Sequence, residues 1–363
     1  MRNEKPARKI QKITQLLAAA HTGDATGNQA LILDRMFSEL GYESKLYSLT
    51  IDEPLIKKVL PMESFKSDYN PLTDLLWYHF NLSSPLSAIF AEASGKKIMQ
   101  YHNYTPPEYF LPFNPLHSKN LNKAGDELKK LKDICDVALG VSNFNCNDLK
   151  KLGFRDPVLF PLIFETSIYD NNGSPSIERL LRGKIKNIIF VSRVAPNKKI
   201  EDLMACYAYI KKHIRDDCRL IIVGKCNHED EYFRYLIRHI GQFRAEGILF
   251  TGEVTQEELT QYYRSANLFL SFSEHEGFFI PLLEAFYFGV PVIARDSAAV
   301  SETAGGAACL FEGRDAALAA ELAVEALENS ELRNSMIRKG RERLKDFTYD
   351  KAKKRLKALL VEI

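Results

Sequence analysis

Ser273-Glu274-His275-Glu276-Gly277-Phe278-Phe279-Ile280-Pro281-Leu282-Leu283-Glu284-Ala285 follows an apolar run, Leu268 to Phe272, that reads as a strand. Pro281 suits the first turn of a helix, where its missing N–H costs nothing. The segment therefore reads as strand, loop and helix, with Gly277 to Ile280 just ahead of the helix N-terminus. Free backbone N–H groups at such a terminus, together with the helix dipole, suit an anionic group such as a diphosphate. Glu276 lies on the loop. Glu284 lies about one turn inside the helix, too far in to face the anion itself, but able to accept hydrogen bonds from hydroxyls such as those of a ribose. Taken alone, the two glutamates read equally as solvated acids around a turn.

Outward from this segment the chain alternates short apolar runs with amphipathic stretches. Ile188 to Val191, Arg219 to Val223, Gly247 to Thr251, Leu268 to Phe272 and Val290 to Ala294 form one strand series. Thr255 followed by Glu258 marks a capping box at a helix start between them. An earlier series comprises Ile13 to Ala20, Ser44 to Leu49, Leu75 to Phe80, Lys97 to His102, Val137 to Val141 and Val158 to Leu162. Asn28 to Leu40 reads as a helix ended by Gly41. Two such series predict an α/β protein of two Rossmann-like, doubly wound domains facing a cleft. The boundaries read as 1–170 and 184–345, with the linker in the turn-rich stretch Gly173 to Gly183 or just before it and a helical tail, 346–363, crossing back onto the first domain.

Three further clusters sit at strand ends. In Phe190 to Lys199, Arg193 offers a planar fork for phosphate oxygens and Lys198 a point charge; in isolation they are also an ordinary surface basic pair. His21-Thr22-Gly23-Asp24-Ala25-Thr26-Gly27-Asn28 is a glycine-containing strand-to-helix loop that matches neither GxGxxG nor GxxxxGK[ST], which disfavours dinucleotide and P-loop chemistry. In Tyr101 to Glu108, His102 stands where a strand ends, as a donor or acceptor near neutrality, although a single strand-end histidine is more often structural.

Composition excludes several classes. The chain has 363 residues, 49 Lys+Arg against 47 Asp+Glu and a net charge of +2, so charge balance gives nucleic-acid binding no support. Six cysteines (Cys135, Cys146, Cys206, Cys218, Cys226, Cys309) lack CxxC spacing, and reduced thiols in a cytoplasmic protein are expected. The start of the chain mimics a signal peptide, but Ile13 to Ala20 reads better as a first strand. Gly277 to Ala294 carries Glu284, Pro281, Gly289 and Pro291, a poor membrane span.

Together and in this order, these clusters resemble the retaining glycosyltransferases of the glycosyltransferase-B fold, family 4 type, over nearly the whole chain. Glu276 and Glu284 match that family's E-x7-E motif, and Arg193 and Lys198 its arginine-to-lysine pair. Val223-Gly224-Lys225 is similar to its strand-glycine turn near the nucleotide, and Phe250 to Val254 to the segment bordering the base. Gly23 to Asn28, Tyr101 to Phe110 and Ser273 to Phe278 are similar to bacterial mannosyltransferases that build O-antigen or exopolysaccharide units.

The resemblance implies that Arg193 and Lys198 hold the donor diphosphate. The backbone at Gly277, Phe278 and Phe279, with that of Gly27, would complete the phosphate cradle. Gly224 and Val254 would border the nucleotide. Glu284 would bind ribose, Glu276 would contact sugar hydroxyls and His102 would approach the sugar where bonds change. Phe279 and Ser192 stand where many relatives carry glycine, which puts in doubt a positive φ at Phe279. The chain has no Asp-x-Asp. No cofactor and no metal are therefore expected, the cationic side chains and helix N-terminus acting on the leaving diphosphate instead. A nucleotide sugar, with GDP-mannose the choice, and a glycan or polyprenyl-linked acceptor are the expected partners. Basic stretches (Arg2, Lys5, Arg8, Lys9, Lys12; Lys119 to Lys132) suggest peripheral contact with anionic lipid at the inner face of the membrane. A nucleotide-sugar epimerase, a phosphorylase and a non-catalytic sugar-binding or scaffold protein are the competing readings.

Overall fold

Apolar residues fill the central strands of both halves, and these strands are buried on both faces, as a sheet covered by helices requires. In the computed structural model, which describes residues 10–243 and 246–363, the chain divides into two units. The first holds residues up to Pro106, Lys119–Ile163 and Asp350–Ile363; the second holds Pro107–Ser118 and Phe164–Tyr349.

The first unit is built on seven strands: β1 (Lys12–Ala20), β2 (Glu43–Ile51), β3 (Leu60–Pro61), β4 (Asp74–Phe80), β5 (Lys96–Tyr101), β6 (Val137–Gly140) and β7 (Val158–Leu159). They are ordered β3-β2-β1-β4-β5-β6-β7, every pairing parallel. The chain therefore reverses direction across the sheet between β1 and β4, where Leu17 stands opposite His79. Trp77 on β4 is fully buried, edge-on to Phe37 at 5.4 Å. Gly41 ends the helix Ala25–Glu39 at φ 89°, the left-handed conformation that glycine adopts without penalty.

The second unit repeats the plan with six strands: β8 (Lys186–Val191), β9 (Cys218–Val223), β10 (Ile248–Phe250), β11 (Leu268–Ser271), β12 (Val292–Arg295) and β13 (Cys309–Phe311). The order is β10-β9-β8-β11-β12-β13, all parallel. This is the doubly wound order, with its switch point between β8 and β11. The capping box is present: Thr255 Oγ1 accepts from the Glu258 N–H at 3.2 Å and Glu258 Oε2 from the Thr255 N–H at 2.9 Å. Both units are thus parallel-sheet α/β domains, as the sequence predicts.

The boundary lies ahead of the Gly173 to Gly183 stretch, between Ile163 and Phe164. Phe164 N–H already donates to the Phe347 carbonyl at 3.0 Å, and Arg264 reaches the Asn171 carbonyl at 2.8 Å. The helix Pro175–Leu181 is tied down by Arg219, which donates to the Leu181 carbonyl at 2.9 Å. The turn-rich composition therefore marks a packed surface segment of the second unit, with no free linker there. The final helix, Tyr349–Glu362, contributes to the first unit, where Lys353 meets Glu39 at 2.7 Å.

Lys12 is also placed differently from the basic surface expected of it. It is buried on β1 and paired with Asp74 at 2.8 Å, so it is no lipid contact. Arg2, Lys5, Arg8 and Lys9 lie outside the described residues. All six thiols are free. Among the described residues no helix is long and apolar enough to cross a membrane.

Candidate functional site

Because β8 and β11 are neighbours at the switch point, the loops leaving their carboxyl ends meet. Such crevices are where open parallel sheets take ligands. Buried Asn197, in the loop after β8, clamps the two together. Its carbonyl accepts from the Glu274 N–H at 2.9 Å and its Nδ2 donates to the His275 carbonyl at 3.1 Å. The clamp sets Lys198 against Glu276, Nζ to Oε1 at 2.6 Å, with the lysine side chain 15% and the glutamate side chain 9% exposed. Ser273 Oγ donates to the same oxygen at 2.7 Å. A half-buried cation and a buried carboxylate are therefore held in one orientation, each offsetting the desolvation of the other. Arg193 is exposed, and no carboxylate pairs with it among the described residues.

Behind this pair lies a second one. Glu274 stands between Arg295 Nη1 at 2.5 Å and Lys199 Nζ at 3.4 Å. Burial opposes its ionisation, but Arg295 and Lys199 outweigh burial and hold its carboxyl below the usual range. Lys199 adopts φ 50°, and the helix Ile200–Tyr209 begins directly after it.

The helix Ile280–Tyr287 starts as its sequence predicts, with Pro281 in the first turn. Among the described residues the N–H groups of Gly277, Phe278 and Phe279 have no acceptor. The Phe278 carbonyl is taken by the Thr303 hydroxyl. Phe279 departs from expectation: it adopts φ 79°, ψ 61° although it is not glycine. The left-handed conformation is strained for a bulky residue. It persists because the buried ring packs edge-on to Phe269 at 5.9 Å.

Gly224, just past β9, has φ 137°, and a Cβ there would collide with the Ser192 carbonyl. The position needs glycine because two strand-end loops approach backbone to backbone. Val254 is half-buried and immediately precedes the Thr255 cap.

Two of the expected site residues make hydrogen bonds within their own units. Glu284 is buried. Its Oε1 accepts from Tyr169 at 2.5 Å and its Oε2 from Tyr263 at 2.6 Å. Burial pushes its carboxyl up and the two hydroxyls pull it back. Each oxygen thus accepts from one tyrosine hydroxyl, which pins the helix to the second unit's core. Gly27 lies in the first turn of Ala25–Glu39, and its N–H donates to the Asp24 carboxylate at 2.9 Å, a helix cap that occupies this donor.

His102 belongs to the first unit, directly after β5, with its N–H on the Phe80 carbonyl at 2.8 Å. Its Nε2 meets Nδ1 of His79, fully buried at the end of β4, at 2.9 Å. Burial pushes His102 down to about 3 and His79 well below the ordinary histidine range, so both are neutral near pH 7. Sequence reasoning missed Asn197, Ser273 and His79. Asn197 and Ser273 sit inside the motifs already singled out, whereas His79 is hidden in an apolar strand.

This geometry on a switch-point loop is of the kind that suits an anion, and residues 177–343, which contain it, match the family model for glycosyl transferases group 1. The second half of the chain carries a glycosyl transferases group 1 domain. The chain is similar to O-antigen chain mannosyltransferase B of Escherichia coli, 26% identical over 162 residues, 45% of this chain and 42% of that protein. It is also similar to the GDP-mannose-dependent alpha-mannosyltransferase of Mycolicibacterium smegmatis, 36% identical over 108 residues, 30% of this chain and 25% of that protein. Each match thus spans less than half of the relative's length. Among solved structures it resembles Anabaena HepE in complex with UDP and glucose, with a TM-score of 0.77 at 16% identity, covering 97% of this chain and all of that one. At that identity the likeness establishes the fold, the glycosyltransferase-B class of two parallel α/β domains.

Proposed function

We propose that the chain is a retaining, metal-independent glycosyltransferase that moves mannose from GDP-mannose to a glycan or lipid-linked glycan acceptor, in the cytoplasm at the inner membrane face. The observation that carries this reading is the anion site of the group 1 domain. Among the described residues Arg193 is exposed and unpaired, Lys198 follows it on the same loop, and the Gly277, Phe278 and Phe279 N–H groups are open. The names of the Escherichia coli and Mycolicibacterium smegmatis relatives support mannose as the sugar and GDP as the nucleotide. The HepE complex makes UDP the rival.

In this mechanism the bond from the sugar's anomeric carbon to the diphosphate oxygen breaks, and one to the acceptor hydroxyl oxygen forms on the same face. The acceptor proton passes to a departing phosphate oxygen. Arg193, Lys198 and the helix N-terminus stabilise the developing diphosphate charge by preorganised electrostatics. Glu276, fixed by Ser273 and Lys198, orients sugar hydroxyls and forms no covalent bond.

Thermal unfolding with GDP, UDP, ADP and their sugar conjugates tests the donor without knowing the acceptor. A ligand at 100 times its dissociation constant adds about 2.7 kcal/mol. A shift with GDP-mannose that is lost in Arg193→Ala is expected. Arg193 serves best here because no structural partner is orphaned by its removal. A shift with UDP sugars alone would replace mannose transfer with another glycosyl transfer. Activity lost to a chelator and restored by Mg²⁺ or Mn²⁺ would overturn metal independence.

A further inference from the structure

Among the described residues, Nδ1 of His102 is a buried ring nitrogen with no hydrogen-bond partner, although its ring is held from the other side. Buried polar atoms are rarely left so. We propose that Gln15 and His79 are positioning residues that fix the tautomer of His102, so that its bare Nδ1 accepts a hydrogen bond from a hydroxyl of the carbohydrate substrate. The substrate half of this proposal rests on the glycosyl-transfer reading above.

The tautomer follows from a chain of hydrogen bonds that begins at a backbone carbonyl. Gln15 Nε2 donates to the Ala30 carbonyl at 3.2 Å. Flipping the amide would set two oxygens against each other, so the orientation of Gln15 is determined. Its Oε1 then faces His79 Nε2 at 2.9 Å, and an acceptor there requires the proton on His79 Nε2. A neutral His79 carries its lone pair on Nδ1, which lies 2.9 Å from His102 Nε2. That nitrogen must therefore hold the His102 proton, which leaves Nδ1 of His102 as a lone pair. Ionising either ring would break this order, and burial opposes it at both.

The consequence is chemical. A bare Nδ1 can only accept, so its partner is a donor. A ring kept neutral to well below pH 7 is not a general base in ordinary buffer; it orients a hydroxyl and does not carry its proton away. A carbohydrate offers such hydroxyls on every face. Neither Gln15 nor His79 needs to touch the substrate for this. Each acts through the next, from β1 to β4 to the end of β5.

The test is a long-range ¹H–¹⁵N spectrum of the full chain with ¹⁵N-labelled histidine at pH 7. His79→Gln and His102→Gln assign the signals. The expected wild-type result is His102 with protonated Nε2 and unprotonated Nδ1, and a shift of Nδ1 alone on adding saturating GDP-mannose. Gln15→Leu should redistribute the His102 tautomers. It should lower the kcat of transfer about tenfold, the equivalent of one hydrogen bond, with KM for the donor little changed. A wild-type spectrum showing Nδ1–H or a doubly protonated ring overturns the tautomer assignment, and that result needs no variant to fold. GDP-mannose binding seen by thermal unfolding without any change at Nδ1 overturns the substrate half. Absence of a thermal shift with every nucleotide sugar overturns the transfer reading and the substrate half with it, while the tautomer assignment stands or falls on the spectrum alone.

Discussion

The two units share a strand order around their switch points, yet they put opposite chemistry at or beside them. In the second, the loops after β8 and β11 bring together Lys198 and Glu276, with Arg193 unpaired nearby. In the first, the ends of β4 and β5 bring together His79 and His102, two rings that burial keeps uncharged. One frame therefore serves both an ionic site and a neutral hydrogen-bonding site. The difference comes from what is left to offset desolvation. The lysine has a carboxylate at 2.6 Å, whereas the histidines have an amide and each other.

Breaking the ionic half should have the largest effect. Lys198→Met strands the buried Glu276 carboxylate and should cost about 3–5 kcal/mol in denaturant unfolding, most of it recovered in Lys198→Met/Glu276→Leu. A single-variant loss under about 1 kcal/mol would mean that water already compensates Glu276. Next comes the support beneath it. Glu284→Leu removes the acceptor of two tyrosine hydroxyls and should cost about 2–4 kcal/mol, with Glu284→Gln costing less. If Glu284→Leu left stability intact but abolished nucleotide binding, Glu284 would act on the ribose and not as a core support.

Phe279→Gly separates backbone strain from packing. Relief of a left-handed residue is worth about 1–3 kcal/mol, and loss of a buried phenylalanine costs about 3–5 kcal/mol, so a net loss near 2 kcal/mol is expected from calorimetry. Net stabilisation would show the ring to be poorly packed.

The effect on the neutral half is the smallest at pH 7 and grows as pH falls. His102 titrates at about 3 when folded and near 6.5 when unfolded, so between these values the unfolded chain binds more protons. Stability is therefore lost as pH falls from about 6.5 toward 3. His79 adds to the same loss. His102→Gln should make the acid limb of stability against pH shallower while changing stability at pH 7 little. An unchanged limb would mean that the ring is solvated.

The strands that carry the sites were legible because they are apolar runs ending in turn or charged residues. β3 and β13 were not read, and β3 includes Pro61, a residue that argues against a strand. The E-x7-E spacing located Glu276 and Glu284 but not their different fates. Those depend on Tyr169 and Tyr263, distant in sequence, closing over one of them. His79 was invisible because Asp74–Phe80 looks like core throughout; only pairing β4 with β1 and β5 gives the ring its two polar neighbours. The left-handed Phe279 defeated a rule about glycine, since local preference is overridden where packing is strong enough.

Asp350–Ile363 belongs to the first unit although the whole of the second unit's main stretch, Phe164–Tyr349, precedes it in the chain. Translation delivers residues at roughly 5–20 per second. The unit that starts first on the ribosome is thus completed after the one that starts later. Until residue 350 has emerged, the surface that Lys353 and its helix will cover beside Glu39 stays open to chaperones and proteases.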